Sequence, residues 1–559
     1  MRSRVLAIAL FAALLLLPGL DRMRAFEGTD ARYLEISREM FASGNWLVPH
    51  LAGIPHLDKP PFAYWAAALG YAAFGVTPWA GRLLEQVALL LTALAVGVAG
   101  RRWCGRSGAF AAALVFLTSA LVFVTSRGLA TDLFQLAFFT AAMFAFHTGV
   151  AGPGRPAALV LALGLLGASM NVKGPIAAFV ALAIWLPFLA ATRGRTQLSG
   201  RTLALGLLAF VALGAPWYVV LAFRDPQLLH YWGEVQLAAR VTGQEELRHV
   251  HGPLYLLWVW PAGLLPWTPL AALALWRLRP RSGWAKADPI DLYLLLWSTL
   301  PVLFFSLPRS QAAPYLLPAF PAAALAIGRA FERGLLADRV AQRCALACGG
   351  LAAALALALA AVLWEPSLLR SSKVETELLA GRAAFAAALA LTAVGLIGVS
   401  FLARRMSVVR TTAAVAVGAG FVFALGFNAV APALASWRDD GLLVRSVPDA
   451  WLVEDGVWRV SALFYFGHLD RFATSVTPFA NSKEPLLGEG RRLSAEQAET
   501  LLRGHSPVFL LSKDRRAPEL ERIPGVTAVH RRNKTVLLAN ASAWRALSAR
   551  TAPSERSTD

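Results

Sequence analysis

Apolar residues run in long stretches, separated by short polar breaks, from Val5 to about Val430. Stretches of that length read as membrane-spanning helices, because a chain in hydrocarbon must satisfy its own backbone groups. Windows at 5–20, 79–100, 108–126, 133–150, 157–172, 175–192, 202–222, 254–275, 289–306, 313–330, 343–363, 383–403 and 411–433 predict roughly thirteen spans. Two breaks are long, 21–78 and 223–253. Long connections with a pattern of their own usually carry function. In the first, Tyr33, Ile36, Met40 and Phe41 recur at helical spacing. That spacing predicts an interfacial helix with Thr29 or Asp30 as its N-cap.

After Trp437 the pattern changes. "RSVPDAWLVEDG", "SPVFLLSKD", "GVTAVHRR" and "KTVLLAN" read as short strands. "SAEQAETLLRG" reads as a helix with Ser494 as N-cap and Gln497 at the capping-box position. The expected organisation is a transmembrane domain over 1–436, a small soluble α/β domain over 437–545, and a disordered tail over 546–559.

Composition agrees with a polytopic helical membrane protein. The 559 residues are 57% hydrophobic and 16% charged, with a mean hydropathy of +0.54. A soluble domain carries about a quarter charged residues. The formal charge of +19 comes largely from arginines in alternate breaks, such as "MRSR", "RRWCGR", "ATRGRTQLSGR" and "WRLRPRSGWAK". That asymmetry places those breaks and the N-terminus in the cytoplasm and the long loops outside, and an odd count of spans then sends the C-terminal domain outside as well. It also argues against nucleic acid as a partner, since no basic patch stands apart from membrane flanks. The apolar run after "MRSR" lacks a small-residue cleavage site, so it reads as a retained first span. Cys104, Cys344 and Cys348 read as packing residues, not as a disulfide framework.

Ionisable residues at the ends of spans are functional candidates by default. On the outer side stand Asp30, Arg32, Arg38, Asp58, Lys59, Asp132, Lys173, Glu234, Arg240, His249, His251 and Arg309, the last near Tyr315. A cavity lined by both signs suits phosphate chemistry: cations hold a phosphate-like leaving group, and a carboxylate takes a proton from an attacking hydroxyl. Plainer readings stand beside this one. Asp30 and Asp132 could cap helices, Glu35 and Arg38 could form a solvated pair, and Lys59 and Lys173 could mark rigid turns before proline. His50, His56, His249 and His251 match no helical ligand spacing, so no metal ligand set is assigned. Trp46, Trp79 and Trp232 read as an interfacial belt.

"TDARYLEISREMFASGNWLVPHLAGIPHLDKPPFAYW", "NVKGP", "LLPWTPL" and "YLLPAFPAAALA" together resemble, in order, the landmarks of a known family. It is the bacterial polytopic glycosyltransferases of the GT-C fold, related to protein O-mannosyltransferases and including the lipid A aminoarabinose transferases. The resemblance implies a GT-C-like membrane domain with a C-terminal α/β domain on the periplasmic face of the inner membrane. It also implies a polyprenyl-phosphate-linked sugar donor, a lipid A or other glycan acceptor, and inverting transfer. Residue by residue it implies Asp30 and Asp132 as catalytic carboxylates, with Lys59, Arg240 and Tyr315 at the donor phosphate. Lys173 and Arg309 join that phosphate group by charge, and Asp58, Arg32, Tyr33 and Arg38 are assigned to substrate positioning. Two departures stand out. The family's Asp-Glu pair before x-Arg-Tyr is Thr29-Asp30 here, and its Ser-Lys pair is Ser310-Gln311. Transfer to protein hydroxyls is the alternative within the enzymes. A lipid-sugar flippase would line a pathway with the same charges, but it would show inverted repeats, and none is evident.

Overall fold

The computed structural model describes residues 2–151, 154–193, 195–196, 198–233, 251–252, 254–281, 283–308, 310–368, 382–433, 438–474, 494–532 and 534–551. The chain opens with α1 (Arg2–Leu16), α2 (Thr29–Ser43), α3 (Phe62–Phe74) and α4 (Pro78–Val98). There follow α5 (Arg101–Leu117), α6 (Ala120–Thr125), α7 (Asp132–Val150), α8 (Pro156–Lys173) and α9 (Ile176–Ala191). Among the described residues six helices are long and apolar enough to cross a membrane, or eight if each of two bent pairs counts as one span. The bent pairs are Gly200–Gly214 with Pro216–Arg224, at 52°, and Tyr255–Gly263 with Thr268–Leu278, at 106°. Several other expected spans are apolar helices of 10–17 residues, including Ile176–Ala191.

Local sequence explains where these helices start and pack. Thr77 caps α4 by accepting from the Ala80 amide, and Pro78 pre-sets the first turn. Asp338 caps the helix Arg339–Trp364 in the same way. Close crossings use missing side chains: a Cβ on Gly108 of α5 would sit 2.4 Å from the Gly328 carbonyl oxygen in helix Phe320–Glu332.

The first long loop folds onto the helices instead of lying free. It contains α2, the two-residue strands β1 (His50–Leu51) and β2 (Ile54–Pro55), and α3, an apolar helix that the span windows did not separate from the loop. The N-cap expected at Thr29 or Asp30 is corrected: Gly28, with φ 104°, precedes the helix and both residues lie inside its first turn. The Asp30 carboxylate reaches back to the Phe26 amide at 2.9 Å, but its main partners lie elsewhere in the chain.

The C-terminal part is built on a five-stranded mixed sheet of order β4-β3-β5-β7-β6. Its strands are β3 (Trp451–Asp455), β4 (Phe472–Thr474), β5 (Val508–Lys513), β6 (Thr527–Arg532) and β7 (Thr535–Ala539). β3 runs parallel to β4 and β5, and β7 is antiparallel to β5 and β6. The expected capping box is present, with Ser494 and Gln497 each satisfying the other's backbone. The chain stays helical past Asn540, over Ala541–Thr551. The helix Val460–Phe466 docks on α2: Val460 and Phe464 enter the core formed by Tyr33, Leu34, Tyr64 and Tyr71. Around that contact Tyr465 Oη accepts from the Ala25 amide at 2.9 Å, and the Glu27 carboxylate accepts from the Ser461 amide at 2.8 Å.

Candidate active site

A cavity of about 640 Å³ lies where the chain leads into α3, α7 begins, α8 ends and the 3-10 turn Ala313–Ala319 begins. Most of its wall is apolar, including Met170, Ile176, Phe179, Leu229, Trp232, Phe304 and Phe305. The polar part of the lining is Asp58, Lys59, Asp132, Gln135, Lys173, Tyr218 and Tyr315. An apolar chamber with a few convergent polar groups is the ordinary form of a small-molecule site.

Asp132 is the first residue of α7 and Lys173 the last of α8. Each charge suits the helix end it occupies, the acid at the N-terminus and the ammonium at the C-terminus. Lys173 Nζ donates to Asp132 Oδ1 at 2.6 Å and lies 4.8 Å from the centre of the Tyr315 ring. Both side chains keep slight exposure, 13% and 14%, towards the cavity they line. After Lys173 the chain turns sharply through Gly174, at φ 72°, a conformation that glycine adopts freely.

Asp58 and Lys59 arrive on a braced hairpin. The buried Glu39 carboxylate accepts from the Ala52 amide at 2.6 Å and from the Gly53 amide at 2.9 Å, fixing the β1–β2 turn. From there Lys59 Nζ donates to the Asp58 carbonyl at 3.0 Å, and the Tyr231 hydroxyl donates to the Asp58 carboxylate. Burial alone would raise the Asp58 pKa. His56, Lys59, Arg32 and the Tyr231 hydrogen bond outweigh burial, so the carboxyl stays well below the usual range and ionised. Burial pushes buried His56 down to about 4, leaving its imidazole neutral at ordinary pH. Burial likewise holds Tyr33 as a neutral phenol, with its pKa raised to about 12.

The structure thus brings Asp58, Lys59, Asp132, Lys173 and Tyr315 to one cavity. Tyr33 is buried outside the lining, its ring 4.9 Å from that of Tyr64. Arg32 acts on Asp58 and His56 through its charge, with Nε buried. Asp30 and Arg38 are not in the cavity lining. Asp30 is bound by Arg82 at 2.6 and 2.9 Å and accepts from the Leu129 amide at 2.7 Å. The expected solvated pair of Glu35 and Arg38 is a correction. Both are buried and joined at 2.7 and 2.8 Å, and Arg38 also donates to the Gly467 carbonyl at 3.1 Å. The docked C-terminal helix covers a helix face that the sequence alone read as solvated. Arg240 and Arg309, with Glu234 and His249, lie outside the described residues. Gln311, at the departure from the family's lysine, turns its amide nitrogen back to the Ser306 and Pro308 carbonyls. His251 stacks on Tyr255 with centroids 3.8 Å apart. Among the described residues, no group of three or more His, Cys, Asp or Glu is placed to hold a metal ion.

Aromatic residues were the main omission. Trp232, read as part of a belt, lines the cavity and donates to the Leu57 carbonyl at 3.0 Å, beside Trp217 and Tyr218. Tyr218 and Tyr231 carried no signal apart from their place near a long loop. Arg82 and Glu85 were legible in principle, as charges inside the run predicted to span at 79–100.

Comparison with known proteins fits this geometry. Residues 58–219 match the family model of dolichyl-phosphate-mannose-protein mannosyltransferases, bearing out the expected resemblance over that segment. The chain is 32% identical over 321 residues to an undecaprenyl phosphate-alpha-4-amino-4-deoxy-L-arabinose arabinosyl transferase of Aeromonas hydrophila. That match spans 56% of this chain and 57% of the relative, little more than half of its length. The fold matches the crystal structure of ArnT from Cupriavidus metallidurans bound to undecaprenyl phosphate, with a TM-score of 0.81 at 23% identity. That likeness covers 96% of this chain and 97% of the other. The apo Archaeoglobus fulgidus oligosaccharyltransferase matches with a TM-score of 0.52 at 14% identity, over 92% of this chain and 70% of its own. The fold is therefore of the polytopic GT-C type.

Proposed function

We propose that this chain is an inverting glycosyltransferase. It takes a sugar from a polyprenyl-phosphate donor and passes it to a cell-envelope acceptor, lipid A or another glycan, at the periplasmic face of the bacterial inner membrane. The observation that carries this reading is one largely apolar cavity whose lining also holds the Asp132–Lys173 pair, Asp58 and Lys59. The similarity to undecaprenyl phosphate-aminoarabinose arabinosyl transferases supports the donor class.

In this reading the apolar wall takes the isoprenoid and the two lysines take the phosphate. The acceptor oxygen attacks the anomeric carbon from the face opposite the phosphate. The bond from that carbon to the phosphate oxygen breaks, and polyprenyl phosphate leaves with the electron pair. Lys59 and Lys173 stabilise the charge that grows on the departing phosphate. Asp132 faces the reacting end; it takes the proton of a hydroxyl acceptor, or stabilises positive charge on the sugar ring when the acceptor is an ionised phosphate. Asp58, kept ionised by its neighbours, orients the sugar. The match of residues 58–219 to protein mannosyltransferases supports a second reading in which the acceptor is a protein hydroxyl.

The test is transfer by purified protein in lipid vesicles, with a panel of polyprenyl-phosphate sugars as donors and lipid A, glycan and peptide acceptors. Transfer that collapses in Asp132→Asn while donor binding persists is the expected result. Donor binding with no transfer to any acceptor would instead favour a carrier or transporter of lipid-linked sugar.

A further inference from the structure

Asp132 is preceded by the connection 126–131, and that connection is gripped from outside the cavity. The Leu129 amide donates to Asp30 Oδ1 at 2.7 Å, and the Ala130 amide donates to Glu85 Oε1 at 3.3 Å. Gln86 Nε2 donates to the Ser126 carbonyl at 2.7 Å. All three gripping side chains are buried. Asp30 is in turn fixed by Arg82, whose side chain is 0% exposed and which donates to both Asp30 oxygens and to the Met23 and Arg24 carbonyls. A buried guanidinium with this many acceptors has one orientation available, and the carboxylate it binds inherits that rigidity.

We infer that Asp30, Arg82 and Glu85 are positioning residues that set the place of Asp132 by holding the two amides just before it. The inference rests on the transferase reading and deepens it, replacing the expected role of Asp30 as the reacting carboxylate. An error of about 1 Å in a reacting group lowers a rate by roughly a hundredfold. A loop held by two amide contacts is thus where a distant substitution reaches the chemistry.

Two measurements test this on the full-length protein in vesicles. The first is kinetic, on Asp30→Asn, Asp132→Asn and the double variant. The inference expects Asp30→Asn to lower kcat by roughly 10- to 100-fold with donor KM within about twofold. It also expects the double variant to be no slower than Asp132→Asn alone. Effects that multiply would make Asp30 an independent participant and overturn the inference, as would an unchanged kcat. The second is amide hydrogen exchange over residues 126–132, which needs no turnover. Faster exchange at Leu129 in Asp30→Asn and at Ala130 in Glu85→Gln is expected, and unchanged exchange in both would overturn it. Should Asp30→Asn fail to fold, Glu85→Gln carries both arms. Absence of transfer by the wild type would sink the transferase reading, and the exchange result would then decide the anchoring by itself.

Discussion

The Lys173 ammonium lies 2.6 Å from the Asp132 carboxylate, joining the last residue of one helix to the first residue of its neighbour in the cavity lining. The two side chains carry different tasks in the proposed reaction, so their substitutions should separate. Asp132→Asn should lower kcat by roughly 10²–10⁴ with donor affinity largely kept. Lys173→Gln should raise donor KM and also lower kcat, because the phosphate is held in both ground and transition states. Steady-state transfer assays at varied donor concentration read both effects. Equal changes in KM alone for the two variants would remove Asp132 from the chemistry.

Arg38 and Glu35 offer a test of how the C-terminal part is attached. Glu35 is 0% exposed, so Arg38→Met leaves a carboxylate buried without its partner. A loss of about 3–5 kcal/mol is expected. The double variant Glu35→Gln with Arg38→Met should recover most of it. Thermal unfolding in detergent, monitored for all three proteins, gives the comparison.

Glu454 should make stability depend on pH. Burial, reinforced by the nearby Glu27 charge and opposed by the Arg459 amide, pushes its carboxyl up to about 8. Between its ordinary value and about 8 the folded state binds the extra proton. Stability therefore falls as pH rises through that window. The effect is on the order of a few kcal/mol. Replacing Glu454 with Gln should flatten this part of the profile and raise the melting temperature most at pH 8 and above. Parallel wild-type and variant profiles would refute the assignment.

Two glycines should respond in opposite directions. Gly108→Ala places a methyl 2.4 Å from the Gly328 carbonyl oxygen, and the expected loss is about 1–3 kcal/mol. A Cβ on Gly350 meets nothing within 4 Å in the helix Arg339–Trp364. Gly350→Ala should therefore gain about 0.5–1 kcal/mol from helix propensity. Melting temperatures of the pair, measured in one detergent, check both signs.

The sequence announced the site residues whose chemistry is unusual for their surroundings. Lys173 before Gly-Pro, Asp132 at the head of an apolar run and Asp58-Lys59 before Pro-Pro could be picked out because charge is expensive beside a membrane. The same rule applied to Arg82 and Glu85, which sit one turn apart inside an apolar stretch, yet their partners are up to 59 residues away in the chain and no local spacing names them. Asp30 could be seen as important but not assigned, since a carboxylate two residues before Arg-Tyr looks alike whether it meets a substrate or an arginine. The capping box at Ser494 was legible because its whole mechanism fits within four residues. The helix Val460–Phe466 was not, because seven largely apolar residues fit a strand as readily. Its pairing with α2 spans more than four hundred positions.

That pairing also bears on when the molecule becomes competent. Val460, Phe464 and Tyr465 complete the packing around residues 25–71, the segment that delivers Asp58 and Lys59. A ribosome extends the chain from its N-terminus, so the first loop emerges long before the helix that seals it. Through most of synthesis its half-built core would face water or a chaperone. The cavity that Asp58 and Lys59 line would acquire its final shape only after the chain past Tyr465 had been made.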